Sequence, residues 1–164
     1  MNKSLQPNKL QLYSLVVVRV LLGWYFLYEG LVKLLNPNWS AIGFLKSSEG
    51  FLKNLFINMA DNPTTLDIVN FLNVWGLIAI GLGLITGTFA RLAAAFGALL
   101  VSLYYLAHPP TIEAQQLLFG SEQALWVDKN LIFTFLLIVL YAIPTSHVIG
   151  IDRLIFNKKN VYGR

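Results

Sequence analysis

Glu29 and Lys33 stand four residues apart in an apolar run, Gly23-Trp-Tyr-Phe-Leu-Tyr-Glu29-Gly30-Leu-Val-Lys33. Tyr104, Tyr105 and His108 close a second such run, and Asp128, Lys129 and Asn130 open a third just after Trp126. Histidine titrates near neutrality and a carboxylate can exchange protons, so Glu29 and His108 are the candidates for proton transfer. Lys33, Tyr104, Tyr105, Trp126, Asp128 and Asn130 are the candidates for holding a ligand, with Asn70 and Asn73 falling at the same level. Two readings of the first pair stay open. An acid four residues before a base is the favourable order for a helical ion pair, with Lys33 reaching outward to water. Alternatively, the two line a pocket in which Glu29 accepts or relays protons.

Metal and haem chemistry fit these residues poorly. The histidines are His108 and His147, at opposite ends of their apolar runs, whereas two axial haem ligands must face one ring. A single-histidine site with Glu29 and Asp128 is the remaining metal arrangement, and no metal is expected. The chain has no cysteine, so structural disulfides, iron–sulfur clusters and persulfide chemistry on a protein thiol are excluded within it. No glycine-rich phosphate loop and no nucleophile–His–acid pattern stands out.

The elements that carry these residues are apolar enough to cross a bilayer. Of 164 residues, 56% are hydrophobic and 12% charged, about half the charge of a soluble domain. Spans are predicted at about 12–35, 66–88, 89–107 and 129–151, each near the roughly 20 residues a bilayer requires. The expected fold is all-α: one domain over 1–164, a polytopic four-transmembrane-helix bundle. The first run lacks a small-residue cleavage pattern and is expected to be retained. Pro144 is expected to kink the last helix.

Charge sets the orientation. Lys3, Lys9, Arg19, Arg91, Arg153, Lys158, Lys159 and Arg164 share one side with Asp152. The other side holds Lys33, Lys46, Lys53 and Lys129 against Glu29, Glu49, Asp61, Asp67, Glu113, Glu122 and Asp128. The positive-inside bias puts both termini in the cytoplasm, in a cell (inner) membrane, with Arg19 at the cytoplasmic end. The basic ends read as lipid anchors, and nucleic-acid binding is not expected. Between the first two spans, Phe44–Ile57 has apolar residues three or four apart, as in an extracytoplasmic amphipathic helix. Asp61-Asn62-Pro63 then reads as a helix start. Arg19, Gly23, Phe26, Gly30 and Lys33 share one face of the first helix, with Glu29 about 80° aside. Its glycines, and Gly76, Gly81, Gly83 and Gly87 of the second span, read as sites of close helix packing.

Three motifs in order carry a family resemblance over about Val16 to Leu154. Arg19-x3-Gly23-x5-Glu29-Gly30-x2-Lys33 resembles the first-helix signature of the DoxX/DoxD family of small four-helix membrane proteins. Gly81-Leu-Gly83-Leu-Ile-Thr-Gly87-Thr-Phe-Ala-Arg91 resembles its second-helix exit, and Asp128-Lys129-Asn130-Leu with Gly150-Ile-Asp152-Arg153 its last helix. The resemblance implies a subunit linked to redox metabolism. The DoxD branch serves in thiosulfate:quinone oxidoreductase, an enzyme of two subunits, so membrane quinone and a partner redox subunit are the implied ligand and partner. A quinone head group calls for hydrogen-bond donors, aromatic walls and a proton path, which the candidate residues supply. The alternative is a non-enzymatic membrane anchor or assembly component for a partner enzyme. A solute transporter ranks last, because few polar residues lie mid-span.

Overall fold

The computed structural model describes residues 8–109 and 127–155. Within them the secondary structure is helical: α1 (Lys9–Leu34), α2 (Ile42–Lys46), α3 (Lys53–Asp61), α4 (Pro63–Thr86), α5 (Ala90–Ala107), α6 (Lys129–Ala142) and α7 (Asp152–Ile155). Local chemistry fixes the starts. The Asn8 backbone N–H donates to Gln11 Oε1 at 2.8 Å ahead of α1. Asn62 Oδ1 accepts from the Thr65 N–H, with Pro63 as first residue of α4, and Asp128 Oδ1 accepts from the Leu131 N–H at the head of α6. α4 ends at Gly87, whose left-handed backbone (φ 71°) is one glycine adopts without strain.

Helices α1, α4 and α5 are each long and apolar enough to cross a membrane; α6, at 14 residues, is a shorter apolar helix. Their exposed surface is apolar as well, including Leu21, Trp24, Leu72, Phe96 and Phe135. Such a belt suits lipid, since a soluble protein rarely leaves continuous patches of this kind in water. Inside, Leu22 and Phe26 of α1, Leu77, Ile80 and Leu84 of α4, Ala94 and Val101 of α5, and Leu137 and Leu140 of α6 form one core. α1 packs along α4, and α5 joins α4 to α6. Glycine makes the first contact possible. A Cβ at Gly23 would lie 2.8 Å from Ile85 Cγ1, and one at Gly81 would lie 2.5 Å from the Leu27 nitrogen.

The sequence between α1 and α4 differs from the single amphipathic helix expected. It forms two short helices, broken at 47–52 because that segment turns in to cover the end of α5. The Ala107 carbonyl, one of the orphan acceptors of a helix C-terminus, accepts from Ser48 Oγ at 3.0 Å and from the backbone N–H groups of Glu49 and Gly50. A side chain at Gly50 would collide with the Leu106 carbonyl oxygen. Ala41, Leu45, Phe56, Ala60 and Ala107 bury a second, smaller core beneath the two helices.

The last helix also ends earlier than expected. It stops at Ala142, and Pro144 lies beyond it instead of kinking it, since proline disfavours helical backbone in the residue before it. The freed segment folds back across the α4–α5 turn. Ile151 and Asp152 donate backbone hydrogen bonds to the Thr86 and Gly87 carbonyls, and Asp152 Oδ1 accepts from the Phe89 N–H at 2.8 Å. Arg19, expected simply to end a span, is buried at 3% exposure. Its guanidinium donates to Thr145 Oγ1 at 3.0 Å and to the Ile149 carbonyl at 2.8 Å, and Asp152 is close enough to act on it electrostatically. A buried guanidinium without such partners would cost several kcal/mol. Arg19 therefore ties α1 to the segment after α6.

Candidate functional site

At the opposite end from Arg19, the helices leave a cleft of about 320 Å³. One face of α1 supplies Tyr25, Glu29 and Lys33, spaced one helical turn apart, with Phe26 beside them. Asn73 and Leu77 come from α4, Val101 and Tyr104 from α5, and Lys129, Asn130 and Phe133 from α6. The segment leaving α1 closes the remaining wall with Trp39, Ser40, Ala41 and Phe44. It is held there by Asn70 of α4, whose Oδ1 accepts from the Ala41 N–H at 2.8 Å.

Lys33 is half-buried and bonds to Asn73 instead of pairing with Glu29: its Nζ donates to Asn73 Oδ1 at 2.9 Å. Asn73 Nδ2 in turn donates to the Tyr104 hydroxyl. The ammonium lies 5.1 Å from the Trp39 ring centroid and 5.8 Å from that of Tyr104, so aromatic faces replace part of its hydration. At the other end of the cleft, Lys129 Nζ is 3.5 Å from the Tyr25 hydroxyl, and the Tyr25 ring meets Phe133 edge-on at 5.0 Å. Glu29 stands between these two groups on α1. Among the described residues it has no hydrogen-bond or ion-pair partner, although it lies close enough to Lys33 to act on it electrostatically.

Of the residues singled out in the sequence, the cleft gathers Glu29, Lys33, Asn73, Tyr104, Lys129 and Asn130. His108 is placed just outside. Its Nε2 is 3.2 Å from the Phe44 carbonyl oxygen and its ring packs on Phe44 at 4.6 Å, so it buttresses a wall residue. Asp128 is occupied in capping α6 and in accepting from Asn130 Nδ2 at 2.8 Å. Tyr105 is half-buried and does not line the cleft, and Trp126 lies outside the described residues. Sequence reasoning missed Tyr25, Trp39, Ser40, Phe44 and Phe133. Tyr25 carried a signal, because it continues the four-residue spacing of Glu29 and Lys33. Among the described residues no three of His, Cys, Asp and Glu come together as a metal site.

Long apolar helices with a lipid-suited surface and a polar cleft at one end define a multi-pass membrane protein. The chain belongs to the DoxX family, whose model matches residues 14–109, from within the first turns of α1 to just past the end of α5. No curated protein and no solved structure matches it.

Proposed function

We propose that this protein is the membrane subunit of a redox system and that its cleft takes the head group of a membrane quinone. The observation that carries this reading is the composition of the cleft: one carboxylate, without a hydrogen-bond partner among the described residues, between two lysines and enclosed by Tyr25, Trp39, Phe44, Tyr104 and Phe133. Flat aromatic walls suit a flat ring, and lysine, asparagine and tyrosine donors suit its carbonyl oxygens. At about 320 Å³ the cleft is at the small end of ligand pockets, which typically hold roughly 300–1,000 Å³. That is room for a substituted ring, with an isoprenoid tail left in lipid.

In this reading α6 completes a four-span bundle, both termini are cytoplasmic, and the cleft opens at the outer face of the cell (inner) membrane. The charge bias supports that orientation. Electrons come from a partner redox subunit, with thiosulfate the reductant suggested by the DoxD branch, and Glu29 exchanges the protons that quinone reduction consumes. Quinone reduction by membranes containing the chain and its partner tests this. Glu29→Gln should abolish turnover while leaving the protein folded; turnover at the wild-type rate in that variant would overturn the role of Glu29.

A further inference from the structure

The cleft has two donor groups, not one, and they lie at opposite ends of the same helix face. Lys33, Asn73 and Tyr104 form the first, and Tyr25 with Lys129 forms the second. Tyr25 and Lys33 are two turns apart on α1, which separates their Cα atoms by about 12 Å at helical rise. Their directions differ by about 80° around the helix axis at roughly 100° per residue, yet both side chains line the one cleft, where each has its own partner: Asn73 for Lys33 and Lys129 for Tyr25. A ring bearing two para carbonyls, bonded at both ends at ordinary hydrogen-bond lengths, needs donors on the order of 11 Å apart. Both ends retain donors. An ammonium has three N–H groups, of which Lys33 spends one on Asn73. If Lys129 donates to the Tyr25 oxygen, the phenolic proton is left to point into the cleft.

We infer that the cleft reads its ligand at two acceptor atoms on opposite edges of one ring, with Tyr25 the specificity-determining residue for the second. The inference rests on the quinone reading and narrows it to para-dicarbonyl rings. The Lys33 end binds the first carbonyl more strongly, because a charge-assisted donor outweighs a neutral hydroxyl. Glu29, one turn from either end, can reach either oxygen.

Full-length protein in nanodiscs, titrated with two ligands by calorimetry, tests this. One ligand is a decyl-tailed para-benzoquinone. The other is a 4,4-dimethylcyclohexa-2,5-dienone with the same tail, which keeps a planar ring and one carbonyl. Tyr25→Phe preserves the ring that packs on Phe133 and should weaken the dione roughly five- to tenfold, the worth of one hydrogen bond, with the monoketone changed less than about twofold. Lys129→Met should, like Tyr25→Phe, weaken the dione more than the monoketone, and Lys33→Met should weaken both. Equal effects of Tyr25→Phe on dione and monoketone, or no effect on either, would overturn two-point recognition and leave the quinone reading standing. Failure of the wild type to bind either ligand would overturn the quinone reading, and this inference with it.

Discussion

Gly81→Ala tests whether the α1–α4 contact holds the cleft together. A Cβ at Gly81 would lie 2.5 Å from the Leu27 nitrogen, 2.7 Å from Leu27 Cβ and 2.8 Å from the Gly23 carbonyl oxygen. Carbon atoms pack without strain at about 3.5 Å and beyond, so α1 must retreat from α4 by roughly 1 Å. Two of the three opposing atoms are backbone, and no side-chain rotation relieves the clash. Overpacking of this kind typically costs about 1–3 kcal/mol. For a chain of this size each kcal/mol is worth about 2–4 °C, so Tm should fall by about 2–12 °C. Phe26 of α1 and Leu77 of α4 belong to both the core and the cleft lining, so retreat of α1 should also weaken ligand binding. Gly76 on the same helix is the control, since a Cβ there meets nothing within 4 Å. Gly76→Ala should raise stability by up to about 1 kcal/mol through helix propensity. Thermal unfolding followed by tryptophan fluorescence in one detergent compares all three proteins. Equal Tm values for Gly81→Ala and wild type would refute the argument from close packing.

Other perturbations have equally direct readouts. Asp152→Ala removes the acceptor for the Phe89 and Ala90 N–H groups and a charge near Arg19; unfolding should show a loss of about 1–2 kcal/mol or more. Gly50→Ala drives a methyl group into the Leu106 carbonyl, so limited proteolysis should cut faster within 47–52 while the long helices stay protected. Asn73→Leu strips Lys33 of its acceptor and Tyr104 of its donor; ligand affinity should fall roughly tenfold or more, read by titration, because a half-buried ammonium loses a charge-assisted bond.

What the sequence made legible follows periodicity and local capping. The apolar runs placed α1, α4 and α5 to within a few residues, and Asn62-Pro63 marked the start of α4 because a cap acts within one turn. Glu29, Lys33, Tyr104 and Asn130 could be placed at one level because each sits near a helix end, where rise per residue fixes depth. Side-chain direction was a different matter. Asp128 and His108 sit at the same level, yet one is taken up by its own helix and the other by the Phe44 carbonyl. Trp39, Ser40 and Phe44 reach the cleft on a segment that Asn70 holds at Ala41, a link across 29 residues, and that His108 supports at Phe44. The burial of Arg19 likewise depends on the segment after Pro144 turning back, 126 residues away along the chain at Thr145. Periodicity holds no information on such pairings.

Photoaffinity labelling reaches the central claim most directly. Purified full-length protein in nanodiscs is irradiated with an azido-quinone and digested, and the labelled peptides are mapped with and without an excess of unmodified quinone. The cleft reading calls for competed labels on Tyr25, Trp39, Phe44 or Tyr104. Labels confined to the lipid-facing surface, at residues such as Leu21, Leu72 and Phe135, and unaffected by competitor would contradict it.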